Sequence, residues 1–253
     1  MTGIKTRIVV LGVAALACCT QALAQRGFTA EFTAGTTRPK SIALLPVEAT
    51  IVRARVVETE GLIDESVVYG ALYNSQLEML LSGKGYEVHI IDPDRINADP
   101  MLQEYVVDAK RGYDEILTQY RPKRLTKRIY NAGDSAVLLA SYLGVDAIAF
   151  ARMNVTITPA GKAIMSALFG GAMAGAFSSV GIVAGNTGDL EAVLIGAAGI
   201  TPGEKTDEDL QGYVAKVAIS TLKRMPGADP SSRIDADAGD EEVLDEAEAL
   251  LKK

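Results

Sequence analysis

From residue 37 onward the chain alternates between short apolar runs and longer amphipathic stripes. Residues 41–47 (Ser-Ile-Ala-Leu-Leu-Pro-Val) form a nearly continuous apolar run, as expected of a strand covered on both faces. Pro46 belongs at its end, because proline cannot donate to a sheet ladder. A polar stretch leads to Ser66, a candidate N-cap, and residues 67–81 then predict a helix. Its stripe is Val68, Ala71, Leu72, Ser75 and Met79, widened by Leu77, Leu80 and Leu81, and Gly83 and Gly85 end it. Residues 86–91 predict a second strand that carries His89, closed by an Asp92-Pro93-Asp94 turn. Helices follow at about 100–120 and at 135–143.

Residues 147–158 read as a strand whose second half alternates Arg152, Asn154, Thr156 and Thr158 with Met153, Val155 and Ile157, so one face of that half meets water. A fourth strand runs through 190–198. The last core helix spans 207–225, with Leu210, Val214, Val217, Ala218 and Leu222 as its buried stripe. This succession predicts an α/β domain over residues 41–226, with a mixed sheet of four or more strands flanked by helices. Residues 25–40 read as a linker.

One stretch breaks the rhythm. The span 161–188 is a Gly/Ala-rich apolar insertion, and its residues 163–185 hold no charge. Gly171 with Gly175, and Gly181 with Gly185, have the four-residue spacing that lets helices approach closely. Three readings stand: a helical hairpin packed on the domain, a surface for oligomerisation, or a loop that inserts in a membrane. In the last two these four glycines are the contact residues.

Both ends differ from the middle. Lys5 and Arg7 precede an apolar run over 8–19, and Ala22-Leu23-Ala24 stands before Gln25, the pattern of an export signal over residues 1–24. Cleavage there removes Cys18 and Cys19, the only two cysteines, and with them any disulfide or thiolate site. Ala15-Leu16-Ala17-Cys18 also has the form of the box at which bacterial lipoprotein precursors are cut, which makes Cys18 a candidate lipidation site. It departs from that box in having Ala15 where leucine is usual and Leu16 where a small residue is usual. At the other end, residues 227–253 carry nine acidic against three basic side chains, most of the net charge of −7. This acidic tail closes on a predicted amphipathic helix at 241–251.

Composition narrows the roles. With no tryptophan and 6% aromatic residues, a stacking platform for sugars or bases is not expected, and an acidic chain is a poor partner for nucleic acid.

Several segments together resemble a family: 40–46 (Lys-Ser-Ile-Ala-Leu-Leu-Pro), 83–88 (Gly-Lys-Gly-Tyr-Glu-Val), 143–149 (Leu-Gly-Val-Asp-Ala-Ile-Ala) and 222–226 (Leu-Lys-Arg-Met-Pro). They look like the envelope proteins built on the curli secretion lipoprotein fold, a group that includes the penicillin-binding protein activators of the outer membrane and the amino-terminal domain of TolB. The resemblance covers roughly residues 40–226, and uncharacterised bacterial surface lipoproteins of that group are nearest. It implies a non-enzymatic accessory role in envelope assembly, secretion or cell-wall synthase support, in the periplasm and at the outer membrane. It also implies envelope proteins, or further copies of the chain, as partners, and no cofactor.

Candidate chemistry is sparse. His89 lies mid-strand, where a core or sheet-face histidine is the simpler reading than a catalytic one. Asp92 and Asp94 recur in some transferases as metal-holding acids, but a turn capping a strand explains them equally. The alternative to an accessory role is an envelope enzyme or ligand-binding protein with Asp92, Asp94 and Asp146 in one cleft. Arg121, Lys123, Arg124, Lys127 and Arg128 crowd into eight residues, a solvated face or a contact for an anionic partner.

Overall fold

The computed structural model describes residues 26–54, 59–120, 129–157, 175–199 and 207–230. The export signal with Cys18, the basic stretch 121–128, Gly171 and the tail helix at 241–251 lie outside the described residues.

The sheet is organised around β6 (Ala147–Ile157), which is long enough to take two partners in succession on one edge. Its first residues pair in parallel with β2 (Ser41–Leu44), and its later ones pair in parallel with β3 (Glu48–Ala54). β5 (Glu87–Ile90) extends the sheet beyond β2 in parallel, and β4 (Thr59–Gly61) pairs antiparallel with the end of β3. On the other edge of β6, β7 (Gly175–Ala184) and β8 (Leu190–Gly199) run antiparallel in turn, and β1 (Arg26–Phe28) closes that side. The result is an eight-stranded mixed sheet.

Helices cover both faces. On one face α2 (Ile63–Gly83) and α6 (Asp207–Leu222) lie over Ile42, Leu44, Ala149, Met153, Val180 and Leu194. On the other, α4 (Pro100–Gln119) and α5 (Asp134–Leu143) bury Ala43, Leu45, Ile148, Phe150 and Val193. Asp99 caps α4 by accepting from Met101 N and Leu102 N, with Pro100 in the first turn, and Gly144 ends α5 at φ 69°. The buried stripe of α6 is the expected one: Leu210, Val214, Val217, Ala218 and Leu222 are all buried.

Five expectations are corrected. Residues 25–40 are not a linker, for β1 and α1 (Ala30–Ala34) occupy half of them and bury Phe28 and Phe32, whose rings stack 5.5 Å apart. The polar stretch before α2 contains β3 and β4. Ser66 is not the cap of α2 but sits inside it, donating to Leu62 O while accepting from Ile51 N. The stripe of α2 is turned relative to the predicted one. Tyr69, Tyr73, Leu77 and Leu81 are buried, whereas Val68 is 63% exposed.

The fifth correction concerns the apolar insertion, whose second half is β7, a central strand hydrogen-bonded on both edges. A row of small residues fits there because both faces are crowded. Gly181 lies under the Tyr113 ring, and a methyl group on Gly185 would stand 2.6 Å from Ala140 Cβ. Gly175 and Gly181 therefore lie on a strand and Gly185 in the turn after it, none of them on a helix, and Gly181 and Gly185 make their close contacts within the domain.

Candidate functional site

The parallel strands β2, β5 and β6 give the sheet two distinct ends, each with an opening. At the end where they begin, a cleft of ≈ 930 Å³ is lined by Thr29, Thr37, Lys40, Asp146, Asn186 and Glu191 among others. Its polar groups hold the chain together. Asp146 accepts from Lys40 N (2.9 Å) and Ser41 N (3.0 Å), so it ties the start of β6 to the start of β2. The Ser41 N–H, followed by that of Lys40, keeps its carboxyl below the ordinary range.

Glu191 is the one acid in an apolar strand and is 7% exposed. It accepts from the hydroxyls of Thr29 (2.5 Å) and Thr37 (2.9 Å), which fastens the amino-terminal segment across the end of β8. Arg38 donates to Phe32 O, Thr33 O, Gly227 O and Asp229 O, joining that segment to the chain beyond α6. Ala228 N donates to Lys84 O (2.9 Å), and Tyr86 donates to Pro226 O (2.9 Å).

The end where the parallel strands finish is different. β5 follows β2 only as far as Leu44, and β4 joins β3 only from Val52. Between them lies a groove of ≈ 930 Å³, floored by Gly70, Ala71 and Asn74 of α2 and walled by Ile63, Val67 and Ile90. Ile63 is 78% exposed and Val67 70%. They stand outside because Tyr69 and Tyr73 turn the other side of α2 inward. The Tyr73 hydroxyl reaches Thr221, and burial pushes its pKa up to about 12, so it stays protonated there. Asn74 is buried, and its Oδ1 has no hydrogen-bond partner among the described residues.

Glu48 borders this groove and faces the sheet side covered by α4. It pairs with Arg152 Nε (2.8 Å) and Lys110 Nζ (3.2 Å), and Arg152 also bonds Asp114. Burial raises the Glu48 pKa, but the two cations outweigh it and hold the carboxyl below its ordinary value.

The sequence-predicted acids do not converge. Asp92 follows β5 at one end of the sheet, where it caps α3 (Pro93–Ala98) by accepting from Asp94 N at 2.8 Å. Asp146 precedes β6 at the opposite end. The cleft of Asp92, Asp94 and Asp146 is not formed. His89 sits on the edge strand β5, half exposed and 3.2 Å from Glu87 Oε1, so it is a sheet-face and not a core residue. Among the described residues there is no group of three side chains suited to a metal ion, and no helix long and apolar enough to cross a membrane.

Sequence reasoning missed Glu191, Arg38, Asn74 and the Glu48–Arg152 pair. Glu191 did leave a signal, a lone carboxylate inside an apolar run, whereas Asn74 left none until the rotation of α2 was known.

No protein-family model matches the chain, and no curated protein is found to be similar to it. Among solved structures it is similar to the PelC dodecamer from Paraburkholderia phytofirmans, at 10% identity over 74% of this chain and 89% of that one, with a TM-score of 0.35. Lipoprotein GNA1162 from Neisseria meningitidis matches at 14% identity over 74% and 99%, with a TM-score of 0.31. The LpoB C-terminal domain from Salmonella enterica matches at 9% identity over 64% and 84%, with a TM-score of 0.27. Likeness at these scores carries no inference about function.

Proposed function

We propose that this chain is an exported, non-catalytic accessory protein of the bacterial envelope. It acts through protein contacts in assembly, secretion or support of a cell-wall synthase, in the periplasm and attached to the outer membrane. One observation carries the reading. The acids that the sequence offers for chemistry hold chain segments in place, while exposed aliphatic side chains gather beside an open sheet edge. Exposed apolar patches beside unpaired strands mark contact surfaces. The export pattern of residues 1–24 supports the compartment.

Envelope fractionation of the native protein, joined to mass measurement of its amino terminus, tests this. An envelope-associated chain that starts at Gln25 or at a lipidated Cys18 is expected. A cytoplasmic protein that retains residues 1–24 would overturn the reading.

A further inference from the structure

We infer that the groove between α2 and the outer edge of β3 takes up an extended polypeptide segment of another protein, with an apolar core and basic flanks, as an added strand. This rests on the accessory reading above and names the surface that would serve it.

The sheet supplies the vacancy. On the outer side of the β2–β3 track, β5 ends level with Leu44 and β4 begins level with Val52. From Leu45 to Thr50 no described strand lies alongside, a gap of about 20 Å of extended chain. Ile51 shows which way the free groups face: its N–H donates outward to Ser66 Oγ (2.9 Å), and its C=O accepts from Leu62 N (2.9 Å). Strand alternation turns the N–H and C=O of Ala49, two residues earlier, to that same outer side. A segment laid there would pair with them, as in recognition by strand addition.

The groove also fits the side chains of such a segment. Gly70 lets α2 come close beneath the strand, since a Cβ on it would stand 3.1 Å from Ala49 Cβ, and Ala71 keeps the floor low. Ile63, Val67 and Ile90 offer aliphatic contact to alternate side chains. Asn74 lines the groove and its buried Oδ1 has no donor among the described residues, a costly state for an acceptor until it is paired. An incoming chain brings N–H donors.

Charge selects among apolar segments. None of the described residues lining the groove is Lys, Arg or His. Asp92 stands on its wall, and the first turns of α2 and α3, whose Ile63, Ser66, Val67 and Pro93 line it, also carry Asp64, Glu65 and Asp94. Basic flanks meet this rim favourably and acidic ones do not.

The test pans a phage-displayed random heptapeptide library against the full-length exported protein and against its Ile63→Asp/Val67→Asp variant. Both substituted positions are exposed, and circular dichroism confirms that the variant keeps its fold. Peptides enriched on the unmodified protein should alternate apolar residues and carry Lys or Arg at an end. Their affinity should fall at least tenfold in the double variant and weaken with salt, and the Ala49 amide resonance should shift on binding. No enrichment over the double variant, enrichment of acidic sequences, or binding that leaves the Ala49 amide unmoved would each overturn the proposal. If the peptides fail while the protein still fractionates with the envelope, the groove assignment falls and the accessory reading stands.

Discussion

Gly181→Ala places one methyl group where the domain has no room for it. The new Cβ would stand 2.5 Å from Tyr113 Cζ and closer still to the Tyr113 hydroxyl. Restoring an ordinary contact of about 3.4 Å to the nearest of these atoms requires the end of the side chain to withdraw by roughly 1.1 Å. Withdrawal is resisted, because Tyr113 is 1% exposed and stacks on Phe150, the cross-strand neighbour of Gly181, at 4.6 Å and 12°. Overpacking of this kind costs about 1–3 kcal/mol, and the reduced entropy of an unfolded chain with alanine returns about 0.4–1 kcal/mol. The net loss should be about 1–2 kcal/mol.

Urea unfolding followed by tyrosine fluorescence and far-ultraviolet circular dichroism measures this loss, in wild type and in a Tyr113→Leu background. Leucine ends near where the ring's Cδ atoms stand, so the clash disappears. In that background Gly181→Ala should be neutral or stabilising. Equal losses in both backgrounds, or no loss in either, would refute the packing argument. A changed sedimentation coefficient with unchanged stability would restore Gly181 to an intermolecular surface.

Three further outcomes follow from the lacing at the end where the parallel strands begin. Because the folded pKa of Asp146 is depressed, its contribution is complete above the ordinary Asp value of about 3.9 and is lost as pH falls below that through the folded value. Asp146→Asn should therefore lower the urea midpoint at pH 7 and flatten its further drop below about pH 4, where the two proteins converge. Glu191→Ala removes the acceptor shared by Thr29 and Thr37, so stability should fall by about 1–3 kcal/mol and limited proteolysis should cut residues 29–40 faster. Arg38→Met severs the amino-terminal segment from Gly227 and Asp229, and exchange of the Ala228 amide should speed up about tenfold while amides of β6 stay protected.

What could be read in advance was periodicity with punctuation. α4, α5, β6, β8 and α6 begin at or within a residue of the expected positions, because each joins a clear apolar period to a recognisable boundary such as Asp99-Pro100 or Gly144. β7 was not legible as a strand. Glycine and alanine carry little strand preference, and what makes them fit is external: the Tyr113 ring over Gly181, and Ala140 and the Asp146 carbonyl against Gly185. The stripe of α2 failed for a related reason. Apolar counting favoured Val68, but Tyr69 and Tyr73 fill the core beneath the sheet, and Thr221 on α6 is there to satisfy the Tyr73 hydroxyl. That same rotation left Ile63 and Val67 outside, so the misread helix and the unpredicted groove are one fact.

The two ends of the sheet differ in a way that bears on which partner the open one can accept. Where the parallel strands begin, Asp146, Glu191 and Arg38 spend their polar groups on fastening the amino-terminal segment and the chain beyond α6 to the domain. Where they finish, the Ala49 edge stays open above an aliphatic floor, an arrangement that invites pairing with any exposed strand. A second copy of this chain would bring its own Asp64, Glu65, Asp92 and Asp94 against the same four. Like charges at that range oppose edge-to-edge self-association and favour a basic segment. The rim acids thus act twice, guarding the edge from its own kind and marking it for a chain of opposite charge. Adding salt should separate the two effects, easing self-association at this edge while weakening a basic partner.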